Sequence, residues 1–139
     1  MSNEQRLANI IRDATGKGEL IINTPIYTTN QMQKRVDDYI SQYKEGYFSP
    51  LSQLARLTEE VGELAREVSH YHGEKPKKRT EEEKTVEEEL GDIMFVLSCF
   101  ANSLDIDMSE AFDIAMTKIE TRDKNRWTPK TEEADSNDD

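Results

Sequence analysis

The chain has 139 residues and a mass of 16.0 kDa, with 34% charged residues and a net charge of -11. That length fits one domain with a modest core, and so acidic a chain repels a nucleic-acid backbone rather than gathering it in. Cys99 is the only cysteine, which excludes an intrachain disulfide and a cysteine-rich zinc site.

No apolar run approaches the roughly 20 residues of a membrane span. The opening Met-Ser-Asn-Glu-Gln also lacks the basic-then-apolar order of a signal peptide. A reducing, cytoplasmic setting is therefore expected. Residues 4–14 read as a short helix with Leu7, Ile10, Ile11 and Ala14 on one side, ended by Gly16 and Gly18. Leu20, Ile21 and Ile22 before Thr24-Pro25 suggest a short extended piece. Residues 1–29 are thus expected to form a helical appendage to a helical domain over 30–127.

From about Asn30 to Tyr43, Met32, Val36, Tyr39, Ile40 and Tyr43 recur at spacings of three and four, the mark of an amphipathic helix. Gly46 is available as its C-terminal cap, and Ser49-Pro50 suits the N-cap and first turn of the next helix. That second helix is expected from about Pro50 to Tyr71. Leu54, Leu57, Val61, Leu64 and Val68 form a seam expected to be core. At ~100° per residue, Glu60 lies at the border of that seam and Glu63 further round, with Arg56, Glu67 and His70 on the same polar flank.

A basic loop with Gly and Pro spans His72 to Arg79. Thr80 with Glu83 resembles a capping box that would open a third helix to Leu104. Ile93 to Ala101 is apolar nearly all round, as in a buried central helix. Glu89 and Asp92 lie on the side that carries Val96 and Cys99, so their flank runs into buried surface. Gly62 and Gly91, inside the two acid pairs, would permit close approach of a backbone or ligand. A fourth helix is expected from Ser109 to Thr121, capped by Asp107 or Ser109, with Ala111, Phe112, Ala115, Met116 and Ile119 inward. Lys118 to Trp127 is dense in side chains that can bind phosphate, and 128–139 reads as a disordered acidic tail.

Glu60-x-Gly62-Glu63 and Glu89-x-Gly91-Asp92 each set two carboxylates one helical turn apart. A single such pair occurs by chance on acidic helices. Two that border apolar seams, with no His or Cys partner, favour a hard, oxygen-loving ion. The two pairs are expected to face each other across one cleft.

Glu60-Val61-Gly62-Glu63-Leu64 followed by Glu89-Leu90-Gly91-Asp92 resembles the ExxE...ExxD signature of the MazG-type all-α nucleotide pyrophosphohydrolases, relatives of dimeric dUTPases and dCTP pyrophosphatases. The resemblance covers Met32 to Trp127. It implies a four-helix bundle completed by oligomerisation as a homodimer or tetramer. It also implies Mg2+, with Mn2+ as a substitute, held by Glu60, Glu63, Glu89 and Asp92, with Glu59 nearby. The implied reaction is hydrolysis of a (deoxy)nucleoside triphosphate to monophosphate and pyrophosphate by metal-activated water at the α-phosphate. Lys118 matches the family's phosphate-binding lysine. Arg122, Asn125 and Arg126 stand for its Asn/Arg-rich segment in a shifted register, and Phe48 lies where relatives stack the base.

Two other readings stay open. Glu67-Val68-Ser69-His70 is a Glu-x-x-His pair of the di-iron carboxylate type, although those bundles need two. Alternatively, the chain is a non-catalytic helical oligomerisation module whose acids confer solubility.

Overall fold

The computed structural model describes residues 26–73, 76 and 84–130. The expected N-terminal appendage, apart from residues 26–29, lies outside these residues, as do the Thr80–Glu83 capping box, most of the basic loop and most of the acidic tail. Among the described residues the chain is all-α, with four helices: α1 (Thr29–Ile40), α2 (Pro50–His72), α3 (Val86–Ser103) and α4 (Met108–Arg122).

Each helix starts where a side chain satisfies its first amides, since these have no partner within the helix. Thr28 caps α1, its hydroxyl accepting from the Gln31 amide at 3.2 Å while its own amide donates to Gln31 Oε1 at 2.8 Å. Ser49 caps α2, with Pro50 in the first turn. Asp107 caps α4, accepting from the amides of Ser109 and Glu110.

α3 begins at Val86 rather than Thr80. Thr85 is extended and accepts from the Glu88 amide at 3.1 Å, and its amide donates to Glu88 Oε2 at 2.7 Å. α1 also stops short of Tyr43. The Ser41 hydroxyl and amide both turn back to the Asp37 carbonyl, and the Gln42 and Tyr43 amides bond three residues back, which tightens the chain out of the helix. Gly46, at φ 59°, then serves the turn between helices rather than a helix cap.

α2 and α3 form the main helix pair, α1 crosses α3, and α4 packs on α1. A polar knot locks the α1 crossing. Gln33 Nε2 donates to Asn102 Oδ1 (3.0 Å) and the Ile106 carbonyl (2.7 Å), while its Oε1 accepts from the Met108 amide at 2.9 Å. Asn102 Nδ2 donates in return to the Gln33 carbonyl (2.9 Å) and the Tyr47 hydroxyl (3.0 Å). Burial, together with its hydrogen bond to Asp37, pushes the Tyr47 hydroxyl up to about 12.

The buried surface differs from the one the hydrophobic spacing predicts. Leu54, Val61 and Val68 are 40–49% exposed, and Leu57 and Leu64 are half-buried. The fully buried residues of α2 are instead Gln53 and Glu67. The reason is that α2 carries a second stripe of the same period, Gln53, Arg56, Glu60, Glu63, Glu67 and His70, and this one turns toward α3. Spacing identifies a stripe but not the surface that covers it.

α3 buries Val96, Ser98, Cys99 and Ala101 but exposes Met94 and Leu97, so it is not buried all round. Of the positions expected to face inward on α4, Ala111, Phe112 and Ile119 are exposed, and Ala115 and Met116 are half-buried. A Cβ added at Gly62 or Gly91 would meet nothing within 4 Å, so neither glycine is required by close packing within the chain.

The Thr85–Glu88 cap fixes the start of α3. Thr85→Ala is expected to lower unfolding stability by about 1 kcal/mol in urea titrations, the usual loss for an N-cap hydroxyl.

Candidate functional site

Glu60 and Glu63 stand one turn apart on the polar stripe of α2, and Glu89 stands on the first turn of α3 opposite them. One carboxylate oxygen from each falls within 4.8 Å of the others, close enough to hold one ion. Glu89 is 0% exposed, and neither of its oxygens has a hydrogen bond. Glu60 Oε2 is likewise buried without one. Burial, then the charges of Glu63 and Asp92, hold the Glu60 carboxyl above the usual carboxylate range. Burial also raises Glu89, against the opposing pull of Lys84.

Among the described residues, Lys84 pairs with two of these acids. Its Nζ lies 3.6 Å from Glu63 Oε2 and 3.7 Å from Glu89 Oε1. The carboxylates of Glu63 and Glu89 raise its pKa in turn. These distances make ion pairs rather than short hydrogen bonds, so the ammonium balances the acids from the rim of the cluster.

Of the four expected ligands, Glu60, Glu63 and Glu89 come together. Asp92 is exposed and outside the converging group, though near enough for its charge to raise Glu60 and Glu89. Glu59 is exposed. Glu67 and His70 lie on the same stripe, but the group able to hold an ion contains neither.

The structure does not gather the expected phosphate ligands at these acids. Lys118, Arg122, Asn125 and Arg126 are exposed on or just after α4, whose main packing partner is α1. Arg122 pairs with Asp123, and Arg126 lies over the Trp127 ring. Phe48 is exposed at the wall of a cavity of ≈ 240 Å³ that Arg56 and Gln53 also line.

Sequence reading missed Gln53 and Lys84. Gln53 was detectable as the first member of the polar stripe, seven residues before Glu60. Lys84 was detectable as the residue just before a second capping-box pattern, Thr85 to Glu88.

Residues 48–127 match the family model of the MazG nucleotide pyrophosphohydrolase domain. Protein YpjD of Bacillus subtilis (strain 168) is 64% identical over 105 residues, 76% of this chain and 95% of that protein. The crystal structure of YpjD superposes with a TM-score of 0.61 at 61% identity, covering 68% of this chain and 97% of that one. The crystal structure of a Bacillus-conserved MazG protein, a nucleotide pyrophosphohydrolase, also gives a TM-score of 0.61, at 56% identity over 74% of this chain and 100% of that one.

The buried Glu89 charge is a cost to the metal-free fold. Glu89→Gln is expected to raise the thermal midpoint of the metal-free protein by a few degrees at neutral pH. The native carboxyl titrates above the unfolded one, so the folded state binds protons first as pH falls. The advantage of the variant should therefore shrink through the mildly acidic range and vanish near the ordinary carboxylate pKa. Parallel melts of both proteins across pH check this.

Proposed function

The chain belongs to the MazG nucleotide pyrophosphohydrolase family and is a nucleotide pyrophosphohydrolase, and we propose that it cleaves a (deoxy)nucleoside triphosphate between the α and β phosphates. The products are the monophosphate and pyrophosphate. Glu60, Glu63, Glu89 and Asp92 are the proposed catalytic set and hold Mg2+, with Mn2+ as a substitute.

The observation that carries this reading is the convergence of three carboxylates around a fully buried Glu89 without hydrogen bonds. A buried carboxylate left charged needs a cation, and a donor set made only of carboxylate oxygens suits a hard divalent ion. When bound, the ion supplies charge neutralisation at the phosphates and an acidified water as nucleophile.

The chain's own residues do the rest. The capped first turn of α3 fixes Glu89 as the inner ligand. Glu60 and Glu63, one turn apart, face it, and one of these two accepts the proton of the attacking water. Asp92, exposed three residues beyond Glu89, would complete the set that holds the ion. The aromatic wall around Phe48, at the Arg56 end of the same stripe, receives the base.

The basic residues Lys118, Arg122, Asn125 and Arg126 are proposed to reach the phosphates from a second copy of the chain. Two features support a homodimer: these side chains are exposed on or just after α4, and Leu54, Val61 and Val68 are 40–49% exposed among the described residues. A cytoplasmic nucleotide pool is the proposed setting, which suits the free thiol of Cys99.

Pyrophosphate release from each dNTP and NTP with Mg2+ tests the reading. Turnover of at least one nucleotide is expected, reduced about a hundredfold or more by Glu63→Gln, since even residues behind metal ligands cost 10–100-fold. Absence of release from every nucleotide would overturn it. Shared sites have a second signature. Inactive Glu63→Gln and inactive Lys118→Ala proteins, unfolded together and refolded as a mixture, should regain activity that neither has alone, because some mixed dimers carry one intact site.

A further inference from the structure

We propose that the side-chain carbonyl of Gln53 selects nucleotides whose base carries an amino group at pyrimidine C4 or purine C6, cytosine or adenine, over their keto counterparts. The proposal rests on the nucleotide reading above and adds the chemistry of the base.

Gln53 is 3% exposed and lines the ≈ 240 Å³ cavity between Phe48, Phe95 and Arg56. Its Nε2 donates to the Phe48 carbonyl at 2.7 Å, while its Oε1 is buried with no hydrogen-bond partner. The orientation of this amide is decided by chemistry. A half-turn flip would put Oε1 against the Phe48 carbonyl oxygen, two acceptors face to face, and lose the bond. The group left over is therefore an acceptor. A buried acceptor without a donor is unfavourable and rare in folded proteins, and this one belongs to a side chain that lines a space large enough for a ring.

No group of the cavity wall donates to it, although the Arg56 guanidinium also lines the space. The polar group beside Phe48, the Tyr47 hydroxyl, already donates to Asp37 at 2.7 Å and accepts from Asn102 at 3.0 Å. The walls provided by Tyr39, Phe48 and Phe95 offer apolar faces of the kind that stack a planar base.

Placement along α2 ties the cavity to the acids. Gln53 and Glu60 are seven residues apart on one stripe, about 10 Å along the helix axis, which is the reach of a nucleoside from base edge to 5′-phosphate. Arg56 lies between them, lining the cavity and acting on the charge of Glu60. A base edge at Gln53 thus sets the phosphates at Glu60 and Glu63. Cytosine N4 and adenine N6 bring an N–H to the orphan acceptor. Uracil and thymine O4 and hypoxanthine O6 bring a second acceptor, which repels it.

The experiment measures kcat/KM of the full chain with Mg2+ for dCTP against dUTP and for dATP against dITP, in the unaltered protein and in Gln53→Met. At least one pair should favour the amino member by about tenfold or more, and Gln53→Met should bring that ratio close to one. Equal values within both pairs of the unaltered protein would overturn the proposal without recourse to any variant, leaving the acceptor satisfied by water alone. A fall in Gln53→Met that is equal for both members, with the ratio kept, would also overturn it and reduce Gln53 to an anchor for the Phe48 turn. Absence of pyrophosphate from all four nucleotides would overturn the nucleotide reading itself, and this proposal with it.

Discussion

The contact between α2 and α3 is made through charge. At a place where two helices of a small bundle usually bury leucines, this protein buries Glu89, at 0% exposure, and partly buries Glu60 and Glu63, with the three carboxylates converging within 4.8 Å. Like charges at such distances repel in a medium that screens poorly. The pair must therefore be held from elsewhere and balanced by a cation. The holding comes from Val96, Cys99 and Ala101 further along α3 and from the Gln33–Asn102 knot that ties α1 to the α3–α4 turn. Among the described residues, Lys84 pairs with Glu63 and Glu89, and Arg56 with Lys84 offsets the charge of Glu60.

The start of α3 brings these requirements into a few residues. Thr85 and Glu88 close the capping box, Lys84 precedes it, and Glu89 follows it. The free amides and the positive end of the helix dipole favour acids in the first turn, where Glu87, Glu88 and Glu89 all lie. That field offsets part of the repulsion around Glu89. The same turn that ends the preceding loop thus sets the direction of the buried carboxylate.

The polar stripe of α2 links the acids to the cavity. Running from Gln53 through Arg56 to Glu60, Glu63 and Glu67, it changes from neutral to cationic to anionic within about four turns of helix. Such a gradient suits a ligand with a flat uncharged end and a polyanionic end that recruits cations. The matched family region begins at Phe48 and so contains this whole stripe, while α1, outside it, contributes Tyr39 and Ile40 to the cavity wall.

The all-α class, the Ser49-Pro50 start of α2, the Asp107 cap and the two acid pairs were legible in the sequence, because each is a local matter of helical spacing or of a side chain meeting its own helix end. Fixed spacing along a helix also placed Glu60 beside Glu63 before any packing was known. What lay beyond the sequence was which stripe of α2 faces inward. Two stripes of equal period compete, and the apolar one looks favoured by transfer energy, yet among the described residues the polar one holds the buried Gln53 and Glu67 while Leu54, Val61 and Val68 of the apolar one stay exposed. The start of α3 was ambiguous for a related reason, since Thr80–Glu83 and Thr85–Glu88 carry the same capping pattern. Tertiary structure alone decided that Glu89 rather than Asp92 is the inner acid, that Lys84 stands beside it, and that Gln53 spends its donor on Phe48 and keeps an acceptor for the cavity. Those outcomes depend on how α2 and α3 face each other and on how the chain enters each helix, which no periodicity encodes.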